Sequence, residues 1–154
     1  MPAIRSAGIL LFRRSGAGLE VLLGHMGGPF WARRDAGAWT VPKGEYEVDE
    51  EPEAAARREF TEELGLPVPD GELLDLGDVT QSNGKVVTAW ALEADLDPHD
   101  VTPGTFEMEW PPRSGRTATF PELDRVDWLD LTTASAKIVT AQRVLVDRLH
   151  DLLP

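Results

Sequence analysis

The chain has 154 residues, enough for one domain with a sizeable core. Its 42% hydrophobic and 27% charged content is ordinary for a globular chain, and no apolar run is long enough to cross a membrane as a helix. The net charge of −12 argues against non-specific binding to duplex nucleic acid, and the lack of cysteine excludes disulfides and thiolate chemistry.

The N-terminal MPAIRSAGILLFRR has a short apolar centre between arginines, so residues 3–14 read as a strand rather than a signal peptide. With nothing arguing for export, a cytoplasmic location is expected. A turn over 15–18 leads to a second strand over 19–25, LEVLLGH, placed to form a hairpin with the first. Residues 27–38, GGPFWARRDAGA, are a loop rich in glycine and arginine, and WTVPK (39–43) leads into an acidic stretch.

That stretch, residues 44–66, is GEYEVDEEPEAAARREFTEELGL. Pro52 suits the first turn of a helix, Ala54, Ala55 and Ala56 are strong helix formers, and Gly65 is a left-handed stop. A helix over about 52–64 follows. Glu59, Glu62 and Glu63 then share about a third of its circumference, beside an apolar stripe of Ala56, Phe60 and Leu64. Each neighbouring glutamate pair costs about 0.2–0.5 kcal/mol, and all three crowd the helix end where the dipole disfavours negative charge. A plain solvated face is one reading. The sharper one is that a divalent cation offsets the repulsion, since carboxylate oxygens suit Mg2+ or Mn2+.

After a turn at 67–71, strands are expected over 73–81 and 85–95, joined at Ser82-Asn83-Gly84, a good hairpin signal. Residues 97–104 form a turn-rich loop. FEMEW (106–110) alternates as a half-buried strand does, 111–120 reads as a long irregular loop, and VDWLDL (126–131) as a final short strand. One last amphipathic helix is expected over about 133–152, carrying Ile138, Ala141, Leu145, Val146, Leu149 and Leu152. No repeat is present. The order of strands, helix, strands, helix suits an α/β fold with a mixed sheet between helices.

The acidic stretch reads G-x5-E-x7-R-E-Φ-x-E-E-x-G-Φ, fixed at Gly44, Glu50, Arg58, Glu59, Phe60, Glu62, Glu63, Gly65 and Leu66. It resembles the Nudix signature at every fixed position. Chance agreement falls below about one start position in ten million at average residue usage. The resemblance implies the Nudix α/β/α sandwich over residues 1–154. It implies a metal-dependent pyrophosphohydrolase with Glu59, Glu62 and Glu63 as ligands to Mg2+ or Mn2+. It also implies the Lys43 carbonyl as a further ligand, Gly44 and Gly65 as structural, and Glu50 and Arg58 as a brace between loop and helix.

FPELDRVDWLDL resembles the family's E-x5-W element, which points to Glu122, six residues before Trp128, as a fourth carboxylate. Glu107 and Glu109 are its rivals. The general base is then Glu59 or Glu122. Lys43, Arg33, Arg34 and Trp39 are candidate substrate contacts. Arg113 and Arg116, with Phe30, Trp31, Trp110 and Phe120 nearby, could serve likewise, since arginine grips phosphate and aromatic rings stack bases. His25, His99 and His150 are scattered and are expected to hold no metal. With neither a nucleophile elbow nor a P-loop, covalent catalysis is not expected.

The expected substrate is a nucleotide, not duplex nucleic acid or a membrane, acted on by a monomer or homodimer. The WTVPKGE run and the E-x5-W element look most like the diadenosine-tetraphosphate hydrolase branch. The alternatives are a nucleoside triphosphate pyrophosphohydrolase, with ADP-ribose and inositol pyrophosphates also open, and a non-catalytic nucleotide-sensing module.

Overall fold

The computed structural model describes residues 3–16 and 18–153. The expected turn at 15–18 includes Ala17, which lies outside the described residues, as do Met1, Pro2 and Pro154. Nine strands form in chain order: β1 (Arg5–Ser15), β2 (Gly18–Met26), β3 (Trp39–Thr40), β4 (Lys43–Glu45), β5 (Leu74–Thr80), β6 (Val86–Glu93), β7 (Thr105–Glu109), β8 (Thr117–Pro121) and β9 (Leu123–Asp130). The helices are α1 (Pro52–Leu64), α2 (Leu131–Lys137) and α3 (Arg143–Leu152).

Seven strands make one sheet with the path β3-β2-β1-β6-β5. β9 pairs with β2, and β4 pairs with the start of β1. β1 and β6 run parallel along eight residue pairs while the other pairings are antiparallel, so the sheet is mixed. The nearly continuous apolar run of β1 has a direct cause: both of its faces are covered. Ala7, Ile9 and Leu11 pack with Ala55, Ala56, Phe60 and Leu64 of α1. Leu10 and Phe12 pack on the other face with Ala134 of α2 and Leu145, Val146 and Leu149 of α3. These three layers are the α/β/α sandwich that the sequence pattern implied. Among the described residues no helix is long and apolar enough to cross a membrane.

α1 begins and ends where its sequence predicts. Pro52 sits in its first turn, and Gly65 at φ 68° donates its N–H back to the Thr61 carbonyl. A side chain at Gly65 would also press within 2.5 Å of the Thr102 carbonyl oxygen.

Two expectations need correction. Residues 111–120 are not one irregular loop: 117–121 form β8, which pairs with β7 as a separate two-stranded hairpin from Thr105↔Pro121 to Glu109↔Thr117. The last helix is also broken. It starts early, because Asp130 caps the Thr133 N–H at 2.8 Å, and it stops at Lys137. Ile138 turns extended to bridge Trp39, and the Val139 N–H donates to the Trp39 carbonyl at 2.8 Å. The β-branched run Ile138-Val139-Thr140 favours such an exit from the helix. The amphipathic pattern survives the break because Ile138 stays fully buried.

Candidate active site

The second half of α1 carries Glu59, Glu62 and Glu63 toward the point where β1 exchanges one neighbour, β4, for another, β2. Phe60 and Leu64 anchor this part of the helix in the core. Gly44 is the residue of β4 that faces it. A Cβ on Gly44 would overlap the Glu59 carboxylate, so only glycine lets that group, 8% exposed, settle against the strand. The bare backbone thus makes room for the protein's own carboxylate, in keeping with the structural role the resemblance implied for Gly44.

Arg58 organises the carboxylates. It grips Glu50 with two bonds of 2.9 Å, bracing the preceding loop against the helix. Its Nη1 also donates to Glu59 at 2.8 Å and to both oxygens of Glu62 at 3.2 Å. Glu63 receives none of this. Its Oε2 is buried with no hydrogen-bond partner among the described residues. Burial, then Glu122 and Glu59, push the Glu63 carboxyl up to about 8. Glu59 is raised chiefly by burial, against the pull of Arg58. Glu122 keeps solvent contact, yet partial burial raises it as well.

Glu59, Glu62, Glu63 and Glu122 line one cavity of about 430 Å³, with Lys43 and Gly44 at its edge. Glu122 reaches it from the junction of β8 and β9, where its N–H donates to the Gly104 carbonyl and its carbonyl accepts from Gly27. Its rivals do not arrive. Glu107 and Glu109 are outside this lining, and Glu109 is bonded to the Arg113 N–H at 2.9 Å.

As the side chains stand, no three acidic or histidine groups among the described residues form a ready metal cluster. Arg58 draws Glu59 and Glu62 to itself. The chemistry of the donor set nonetheless fits a hard cation: all are oxygens, one is orphaned, and three carboxyls are raised, each chiefly by burial.

The other expected contacts fall elsewhere. Trp39 is core, 2% exposed and outside the cavity. Its ring packs edge-on to His25, and its one donor is satisfied by Asp35 at 2.9 Å. Arg33 and Arg34 are exposed on the loop between β2 and β3 and do not line the cavity, and Arg34 lies over the Trp31 ring. Arg113 and Arg116 are exposed at the tip of the β7–β8 hairpin, where Trp110 meets Phe30 edge to face. Both ring nitrogens of buried His25 are occupied, by Asp124 at 2.7 Å and the Arg34 carbonyl at 2.6 Å. His99 is bonded to Asp97, and His150 lies 3.8 Å from Asp151. The cavity also holds Ser6 and Lys85, which the sequence reading passed over. Strand alternation from Lys43 and the pairing of two strand ends was the signal that could have found them.

A three-layer fold with a cleft of four carboxylates beside one helix narrows the class before any comparison is made. Residues 2–149 match the NUDIX domain, and the chain belongs to that family. It is similar to an RNA pyrophosphohydrolase of Cellvibrio japonicus (strain Ueda107), 45% identical over 56 residues, or 35% of this chain and 33% of that protein. The matched part thus spans about a third of the length of that relative. Among solved structures, the fold is similar to a C. elegans Ap4A hydrolase in a binary complex. The TM-score is 0.69 at 20% identity, covering 97% of each chain. It is also similar to the NUDIX domain of Shewanella oneidensis NrtR complexed with ADP ribose, with TM-score 0.65 at 16% identity, covering 100% of this chain and 90% of that one.

Proposed function

We propose that this chain is a metal-dependent hydrolase of a phosphoanhydride in a nucleoside diphosphate linked to a further group, with a dinucleoside polyphosphate such as diadenosine tetraphosphate as the leading substrate. The observation that carries the reading is the single cavity shared by Glu59, Glu62, Glu63 and Glu122, with the Glu63 oxygen left unpartnered. Glu59, Glu62 and Glu63 would hold Mg2+ or Mn2+, with the Lys43 carbonyl and Glu122 beside them. A divalent ion supplies charge neutralisation for the phosphates and makes an attacking water more acidic.

The chain's own groups do the rest. Lys43 offers its ammonium to a phosphate oxygen. Water attacks phosphorus in line, the bridging P–O bond breaks, and the bridging oxygen leaves with the departing phosphate. Glu122 takes the proton, because it is the most solvent-accessible of the carboxylates that make no bond to Arg58. Glu59 is the alternative base, but it must first give up its bond to Arg58.

A second reading has its own support. The sequence relative is named an RNA pyrophosphohydrolase, which favours a 5′-triphosphate end as substrate. The chain's charge of −12 weighs against a long polyanion. Nucleoside triphosphates and ADP-ribose complete the panel. The test is phosphate release coupled separately to pyrophosphatase and to phosphatase, with Mg2+ or Mn2+. Rapid cleavage of diadenosine tetraphosphate with poor use of triphosphates is the expected result. Preference for a triphosphate or for 5′-triphosphorylated RNA would replace the substrate. Binding without turnover would replace the enzyme by a nucleotide sensor.

A further inference from the structure

The pairing of β9 with β2 is regular from Glu20↔Asp130 to His25↔Arg125 and then shifts, so that Met26 faces Leu123. Asp124 is the residue left over, a bulge at the second position of β9 and just after Glu122 and Leu123. A bulge resets the phase of a strand, and bulges recur beside active sites, where they re-aim a side chain. Here the reset keeps Leu123 in the same core cluster as Val126, against the strict alternation of a strand. Gly24 leaves room for it: a Cβ on Gly24 would stand 2.5 Å from a Leu123 methyl carbon.

A buried side chain fastens this bulge. The His25 ring is 1% exposed, whereas the Asp124 side chain is 32% exposed and turns its carboxylate inward to meet the ring nitrogen Nδ1 at 2.7 Å. The other ring nitrogen, Nε2, meets the Arg34 carbonyl at 2.6 Å. One ring thus joins the β2–β3 loop to the bulge, partners 9 and 99 residues away in the sequence. Backbone bonds run alongside. The Met26 N–H donates to the Ala38 carbonyl at 2.9 Å, and the Gly27 N–H to the Glu122 carbonyl at 3.0 Å. The Glu122 N–H donates in turn to the Gly104 carbonyl at 2.7 Å. A Cβ on Gly27 would overlap the Pro121 carbonyl, so the two backbones meet with no side chain between them. The main chain of Glu122 is gripped from both sides, and its side chain enters the cleft.

We propose that His25 is a positioning residue for the hydrolysis: by holding the Asp124 bulge and the Arg34 carbonyl together, it sets where the Glu122 carboxylate stands in the cleft. This rests on the reading of Glu122 as the group that takes the proton. His25 is outside the cavity lining and acts through the backbone of residues 122–124. Without the ring bond, Asp124 returns to water and the bulge loses its anchor on β2. Glu122 then drifts from the line of the attacking water. Such an error costs rate far more than binding, because the polyphosphate is held from the α1 and β4 side of the cleft.

The test joins amide hydrogen exchange in EDTA to steady-state kinetics for the wild type, Asp124→Ala, Asp124→Asn and His25→Asn, each also made in a Glu122→Gln background. In Asp124→Ala the Gly27 and Glu122 amides should exchange about tenfold faster while the unfolding midpoint barely moves. On the nucleotide that the wild type cleaves fastest, kcat should fall about tenfold for Asp124→Ala and about 30-fold for His25→Asn, with KM within about twofold. Asp124→Asn should restore kcat to within about threefold, since an amide can still bond the ring. In the Glu122→Gln background these losses should disappear, because the group being placed is gone. Unchanged exchange, or the same loss of kcat in both backgrounds, would overturn the proposal, and Asp124→Ala decides it if His25→Asn does not fold. If Glu122→Gln turns over as the wild type does, the proton-acceptor reading fails, while faster exchange still shows that His25 holds the segment. If no nucleotide is hydrolysed, the hydrolase reading fails and exchange alone decides whether the segment is held.

Discussion

Two polar side chains with buried atoms, on opposite faces of the sheet, are treated in opposite ways. Gln142, fully buried between α2 and α3, has every polar atom used. Its Oε1 accepts from the Val41 N–H at 3.0 Å, and its Nε2 donates to Thr40 and to Gln81, each at 3.0 Å. Glu63, on the other side of the sheet, keeps an orphaned oxygen and a carboxyl pushed up to about 8. A satisfied network ties elements together and asks for nothing more. An unsatisfied one stores a cost that a bound cation would relieve. The difference separates architecture from site without reference to any relative.

The largest expected effect comes from breaking the unsatisfied side. Glu63→Gln should lose roughly 10²–10³-fold in turnover of whichever nucleotide the wild type cleaves. Its unfolding midpoint in EDTA should hold or rise, since a charge is removed from a buried place. A clear drop in that midpoint would make Glu63 a structural residue. Gly44→Ala should follow, with turnover down about 10²-fold from displacement of Glu59 and a modest loss of stability, read by activity and by thermal melting.

On the satisfied side the signs should reverse. Gln142→Ala should cost about 2 kcal/mol in chemical unfolding, because the Val41 N–H and its neighbours lose their partner. Its turnover at a temperature well below melting should stay within about threefold of the wild type.

The comparison sharpens with pH. Glu63 binds its proton more tightly folded, near 8, than unfolded, near 4.5. Its contribution to stability is thus complete below about 4.5 and is lost as pH rises through 8. Melting in EDTA should show the wild type losing stability over that window relative to Glu63→Gln, and Mg2+ or Mn2+ should reduce the gap. The smallest effect belongs to the exposed pair Arg57–Glu53, at 3.8 Å. Arg57→Ala should change stability by less than about 0.5 kcal/mol and leave turnover untouched.

Local signals were readable from the sequence where they agreed with packing. Pro52 and Gly65 mark α1 to the residue, and the unbroken apolar run of β1 reports a strand covered on both faces. The box carboxylates and Glu122 do share one cavity. What escaped depended on contacts distant in sequence. Trp39 reads the same whether it lines a pocket or fills the core, and only Asp35, His25 and Ile138 decide. The break at Ile138 keeps its apolar period, so periodicity alone could not reveal it. Arg33 and Arg34 had the right chemistry for phosphate, but the loop carries them away from the cleft. Ser6 and Lys85 carry no motif and meet only because two strand ends are paired.

Arg58 has a consequence for how this protein can be handled. It already stands in as a positive partner for Glu59 and Glu62 while holding Glu50. The helix therefore closes on an internal counter-ion, and folding does not wait for a metal as it does in small zinc modules. Loading an ion becomes an exchange reaction on a finished scaffold. The chain should survive chelation and be recharged with one metal after another, which makes it suited to comparing ions in a single preparation.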